Sequence, residues 1–459
     1  MKKVVLSMVF LAVVIPLAWT LFYKYEGSTP RVEVTLPSLY LKKSYEMSLT
    51  VDDKGTGLRK VMVSIMQKGN EKVLLEKEYP SSSILSFFSD SRVNEDSFVI
   101  PVESRKYGMN DGEALIRIMV SDYSWRGWNR GNVFYEEKKV VIDTKPPEIQ
   151  VLTTRHNVEK GGSGLVIYKV FEENVKSGVM VGENFFPGHS GMFENPDIYA
   201  AFFALDYTQG PGTQIFVSAG DLAGNLTQRG FYHYIRDKNF KADTLNISDQ
   251  FLESKMPDFD LNEIEDTFVG AKNPLLEKFL YINGKLREKN VTTILNVPKD
   301  TVGKLMWEGK FDRLAGAAPR AGWADHRVYK YNGKEIDRAV HLGLDLASTA
   351  NAKVGAANGG RVIMAKNEGI FGNTVIIDHG FGLASLYSHL NEINVNIGDA
   401  VSKGDVIGVT GLTGLAGGDH LHFSMMVHNV FVNPVEWWDD TWIINNVTSK
   451  IESVKPLIK

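Results

Sequence analysis

Short runs of alternating apolar and polar residues, broken by glycine, aspartate and asparagine, recur along most of this chain and restrict it to a mainly β fold. Arg31-Val-Glu-Val-Thr-Leu36, Lys60-Val-Met-Val-Ser-Ile65 and Leu115-Ile-Arg-Ile-Met-Val120 each put every second side chain on one face, the period of a half-buried strand. A chain of 459 residues exceeds what one core organises, so several strand systems are expected in series. Hydrophobic residues at 43% and charged residues at 23%, with no run of like charge, supply packed cores and exclude a disordered chain.

Val140-Val-Ile-Asp-Thr144 runs into Lys145-Pro146-Pro147, where two prolines end one strand system before the next begins. The following stretch echoes the preceding one. Met119-Val-Ser-Asp122 with Gly131-Asn132 is matched by Phe216-Val-Ser-Ala-Gly-Asp221 with Gly224-Asn225. A repeat of about a hundred residues made of strands and turns suits two β-sandwich modules, at 27–145 and 146–237, and resembles the tandem immunoglobulin-like modules of exported bacterial proteins. Asn273-Pro274-Leu-Leu-Glu-Lys-Phe-Leu280 then combines a cap residue, a first-turn proline and apolar spacing of three and four. It marks a short helical connector over 238–299. A β-rich C-terminal domain follows at 300–440, with a tail at 441–459.

Lys2 and Lys3 precede an almost uninterrupted apolar run over residues 4–23. That length spans a bilayer as a transmembrane helix. The small-x-small pattern of a cleavage site is poor around Leu17-Ala18-Trp19-Thr20, which favours an uncleaved signal anchor at 1–26 over a cleaved signal. The two lysines favour an N-terminus kept inside. The expectation is a single-pass inner-membrane protein with its body in the periplasm. A formal net charge of -4, with no Lys/Arg stripe, argues against nucleic acid as a partner. The chain has no cysteine, so any metal must be held by His, Asp or Glu.

His341-Leu-Gly-Leu-Asp345 places two metal-ligating side chains four apart, with Gly343 easing a bend between them; on a strand both lie on one face. His420-Leu-His422 offers two imidazoles to one groove while Leu421 points into the core, as residues two apart on a strand must. Leu386-Tyr-Ser-His389-Leu adds another histidine after an apolar run. His326, His379 and His428 are expected only to hydrogen-bond or pack.

In this combination and order, the His-x-x-x-Asp, Tyr-Ser-His and His-Leu-His motifs resemble the M23 (lysostaphin/LytM-type) peptidase domain over about residues 315–438. Gly372-Asn-Thr-Val-Ile-Ile-Asp-His-Gly380 and Val432-Asn-Pro434 extend the match. The Gly398…Gly404 hairpin is shared with lipoyl-type carriers, but the carrier lysine is missing. The resemblance implies Zn2+ held by His341, Asp345 and His422, with a fourth position open for water. It leaves His389 and His420 as catalytic imidazoles that move the proton and stabilise the oxyanion. The implied activity is a zinc metalloendopeptidase, a hydrolase of peptidoglycan stem-peptide cross-links in the cell wall. The alternative is a catalytically inactive LytM-type regulator of another wall hydrolase. Tyr329 and Tyr331 either support the oxyanion or simply pack. The connector either covers the groove or serves as a spacer, and the β-sandwich modules are expected to meet a cell-envelope protein partner.

Overall fold

The structure, a computed structural model, describes residues 2–80, 92–261, 264, 267–268 and 270–457. Within the range expected for the first module, residues 81–91 lie outside the described residues. The chain divides into two compact units, Met1–Pro146 with Gly220–Leu226, and Pro147–Ala219 with Thr227–Lys459.

The first unit begins with the helix Lys2–Lys24. Its Ser7–Lys24 portion is long and apolar enough to cross a membrane, and Met8, Phe10, Val13 and Phe22 on it are exposed. Strands Arg31–Thr35, Ser44–Asp52 and Glu95–Glu103 form one sheet, and a second sheet has five strands centred on Gly112–Asp122. The alternation read in sequence is the physical cause of their packing. Met47, Leu49 and Val51 from the first sheet meet Val61, Val63, Ile65, Ile116 and Ile118 from the second in one core, each side chain contributing roughly 1.5–3 kcal/mol by leaving water. The Asp…Gly-Asn echo has the same geometry at both sites. The Asp122 carboxylate accepts from Asn132 N (2.7 Å) and Nδ2 (2.8 Å), and the Asp221 carboxylate accepts from Asn225 N and Nδ2, both at 2.9 Å.

In the second unit, the strands Ile149–Val151, Ser163–Val170 and Ile198–Ala204 make a three-stranded sheet. Their buried residues Val166, Ile167, Phe202 and Phe203 share one continuous core with Phe311, Leu421, Met425 and Trp437 of the C-terminal region. That region is built on a ten-stranded sheet in which Leu344–Ala347, Leu421–Val427, Leu383–Ile393, Asn373–Gly380 and Gly360–Asn367 are consecutive neighbours.

The connector contains the expected helix Pro274–Tyr281, whose Asn273 side chain caps Leu276 N, and the helices Asp249–Lys255 and Arg287–Asn296. It also contributes a strand, Ala242–Ile247, running parallel to Asp325–Tyr331, which pairs antiparallel with Lys334–His341. Leu252, Met256, Phe279, Ile282 and Ile294 of the connector pack on Met364, Ile376, Leu386, Met426 and Phe431. The connector is therefore a wall of the C-terminal core.

Candidate metal centre

Three neighbouring strand segments bring the ligating side chains together. His341 ends the strand Lys334–His341, the chain bends, and Asp345 lies in Leu344–Ala347 directly across from His422. Directly opposed residues project from the same face of an antiparallel pair, whereas Leu421 and Phe423 on either side of His422 enter the core. The bend depends on Gly343 because a Cβ there would stand 2.5 Å from His422 Nε2 and 2.6 Å from Ser424 Oγ.

The hydrogen bonds fix which ring nitrogens face inward. His341 Nδ1 donates to Gly322 O at 2.8 Å, which leaves Nε2 with its lone pair. Ser424 Oγ donates to Leu342 O at 2.8 Å and so accepts from His422 Nε2 at 3.2 Å, which leaves His422 Nδ1 with its lone pair. Those two nitrogens are 3.0 Å apart, and each is 2.9 Å from Asp345 Oδ1. Three electron pairs so close repel one another, and a cation among them converts the repulsion into ligation. Separations near 3 Å suit ligands sharing one ion at about 2.0–2.2 Å. Among the described residues, His341, Asp345 and His422 form a buried group able to hold a metal ion, and the backbone carbonyl on His341 Nδ1 is the outer partner such ligands need.

Two further imidazoles flank this group. Ser388 pairs with His422, so plain alternation would send His389 to the opposite face. His389 instead adopts a left-handed backbone with φ 62°, rare for a non-glycine residue, and its ring stands 4.8 Å from that of His420 and 5.7 Å from that of His422. His389 Nδ1 donates to Thr413 O at 2.9 Å, and His420 Nδ1 donates to Gly418 O at 2.7 Å. His389 Nε2 remains for chemistry, whereas His420 Nε2 faces Asp345 Oδ1 at 3.4 Å. Burial, with His420 and His422 alongside, holds His389 well below the usual imidazole range. Burial also opposes a charge on His420, but Asp345, 3.4 Å away, outweighs it and raises that pKa. Burial lowers His422 to about 4. Burial alone would raise Asp345, and the surrounding imidazoles, His341 foremost, hold it well below the usual carboxylate range.

The model of Peptidase family M23 matches residues 339–434. Residues 339–434 are an M23 peptidase domain. The peptidoglycan DD-endopeptidase ShyA of Vibrio cholerae is 38% identical over 98 residues, 21% of this chain and 23% of that protein. The DD-carboxypeptidase/endopeptidase Mpg of Neisseria meningitidis is 36% identical over 96 residues, 21% of this chain and 22% of that protein. The chain spans only 22% to 47% of the length of the first curated relatives it matches. Among solved structures, the catalytic domain of lysostaphin from Staphylococcus simulans is 29% identical, covering 28% of this chain and 96% of that one with a TM-score of 0.24.

A cleft of about 370 Å³ opens over this candidate metal group of the M23 domain, lined by His341, Asp345, His389, His420 and His422. A larger cavity of about 990 Å³, around Glu436 and Lys450, contains none of these five. Of the tyrosines weighed in sequence, Tyr329 lines the cleft and packs on Phe279 with ring centroids 5.6 Å apart. Tyr331 instead donates to Asp249 Oδ1 at 2.6 Å and accepts from Asn273 Nδ2 at 3.0 Å. His379 is fully buried between Gly359 O and Ser385 Oγ, both at 2.7 Å from its ring nitrogens. His326 packs near Tyr207 and Phe240, and His428 stacks 5.6 Å from His189. Sequence reasoning missed Arg327, whose Nη2 donates to Asp345 Oδ2 at 3.0 Å. Alternation offered a signal, since Arg327 is two residues before Tyr329 on one strand.

Proposed function

We propose that this chain is a zinc metalloendopeptidase that hydrolyses peptide cross-links of bacterial peptidoglycan. In this reading residues 1–26 anchor it in the inner membrane and hold its body in the periplasm. The observation that carries the proposal is the convergence of two imidazole lone pairs and a carboxylate oxygen at 2.9–3.0 Å. It occurs in a domain whose relatives are by name a peptidoglycan DD-endopeptidase and a DD-carboxypeptidase/endopeptidase. His341, Asp345 and His422 are the proposed ligands of Zn2+, leaving one side open to the cleft. Bound there, zinc supplies Lewis acidity toward a carbonyl oxygen and acidifies water enough for attack near neutral pH.

The protein's own groups then divide the proton work. His389, kept uncharged by burial, presents an unprotonated Nε2 and takes the proton of the attacking water. Its Nδ1–H is tied to Thr413 O, so the ring cannot turn away. His420, whose charge Asp345 favours, presents Nε2–H to the oxyanion and then to the leaving amine. The presence of all five motif residues in working orientation favours an active enzyme over an inactive regulator. The strand modules, 27–145 and 146–237, are proposed as the surface that meets a cell-envelope protein.

Purified full-length protein, loaded with zinc and given purified peptidoglycan, is expected to release peptides newly bearing free amino and carboxyl ends. Chelation should stop the release and added zinc restore it. Zinc-loaded protein that leaves cross-links intact would overturn the proposal.

A further inference from the structure

We propose that Arg287 and Arg327 form a carboxylate-binding subsite beside the metal centre, so that the substrate is a peptide bearing a free carboxylate next to the scissile bond. The inference rests on the peptidase reading and specifies its substrate. Arg327 comes from the strand Asp325–Tyr331 and Arg287 begins the helix Arg287–Asn296, yet both line the cleft that holds His341, Asp345 and His422. Arg327 spends one N–H on Asp345 Oδ2. Arg287 spends two, donating from Nε to Asn283 O at 3.0 Å and from Nη2 to Asn283 Oδ1 at 2.7 Å.

Both acceptors of Arg287 are neutral. Asn283 is itself held by Asp337, to whose Oδ2 it donates at 2.7 Å, so the guanidinium is clamped through an amide. Among the described residues, no carboxylate lies within 4.0 Å of Arg287. A guanidinium carries five N–H donors, so three on Arg287 remain for a ligand. Phe251, Phe279, Phe371 and Leu245 line the same cleft, and such apolar walls strengthen a charge-assisted bond. Burial, with Arg327 nearby, also disfavours the charge on Arg287. Arginines 287, 320 and 327 face only Asp243 and Asp345 in the cleft lining, and a divalent metal adds further positive charge. An anionic group on the substrate satisfies the spare donors and relieves this imbalance, and the planar fork suits a carboxylate.

The test uses the zinc-loaded full chain and two synthetic cross-linked peptides identical except for a free carboxylate or a carboxamide beside the scissile bond. The wild type is expected to favour the acid by about tenfold or more in kcat/KM, the scale of a charge-assisted hydrogen bond. Arg287→Gln should bring that ratio close to one with zinc content unchanged, and Arg287→Lys should keep part of it. A wild type indifferent to the two peptides, or an Arg287→Gln variant that slows both equally and keeps the ratio, would overturn the subsite. If neither peptide is cleaved, the peptidase reading falls, and calorimetric binding still decides the subsite: tighter binding of the acid supports it and equal affinity overturns it.

Discussion

His379 and His422 lie in the same sheet, are both buried, and are both lowered by burial to about 4, yet their surroundings differ. The His379 ring nitrogens are matched to Gly359 O and Ser385 Oγ. Only one nitrogen of His422 is matched, to Ser424 Oγ, and the other faces His341 Nε2 and Asp345 Oδ1. In the proposed reading a buried histidine serves as a ligand because its second nitrogen is aimed at other electron pairs, and neither burial nor a shifted pKa alone makes that distinction.

The largest effect should come from the two imidazoles proposed to handle protons without holding the metal. His389→Ala and His420→Ala are each expected to lower hydrolysis of peptidoglycan by a hundredfold or more, about the scale of removing a general acid or base, with metal content retained. Next comes Gly343→Ala. The new Cβ must displace His422 or Ser424, so metal affinity measured by competition with a chelator should fall by about ten- to a hundredfold. Gly417→Ala, where a Cβ meets nothing within 4 Å, is the matched control and should leave affinity unchanged.

His379→Ala sharpens the comparison from the other side. It strands the buried groups that His379 satisfies and should cost about 1–3 kcal/mol of stability, read from denaturant unfolding, while metal binding persists. Loss of metal in this variant would erase the distinction between the two histidines.

The effect most remote from the site concerns the polar cavity away from the metal. The Glu436 carboxylate accepts from Ser163 N at 2.9 Å and Oγ at 3.1 Å, and burial raises its pKa from 4.5 to about 8. Because the folded-state value is the higher one, its contribution to stability is complete below about 4.5 and is lost as pH rises through about 8, the sign that linkage requires. Unfolding midpoints of the wild type should therefore fall between pH 5 and 9 relative to Glu436→Gln, which carries no ionisable group there. Parallel curves would exclude the assignment.

The grouping of His341, Asp345 and His422 was legible in sequence because its spacing uses the strand period directly. His420 and His422 are two apart around the buried Leu421, and Gly343 marked a bend before Asp345. The strand cores of the first unit were legible for the same reason, as the alternating burial along Ser44–Asp52 illustrates. His389 was found through its motif, but its orientation was hidden, since a left-handed residue breaks the alternation on which strand reading depends. Arg287 was beyond reach because it approaches Arg327 through packing of the connector. The strand Ala242–Ile247 was hidden likewise, with only half-buried and exposed positions and a partner strand some eighty residues later.

The central claim is that His341, Asp345 and His422 converge on a cation while His420, two residues from His422, does not hold it. Mass spectrometry of the native protein and its variants after equilibration with zinc and removal of excess tests this directly. The expected result is about one zinc per chain for the wild type and for His420→Ala, with little or none for His422→Ala. A wild type that binds no zinc, or zinc kept by His422→Ala and lost from His420→Ala, would contradict the account.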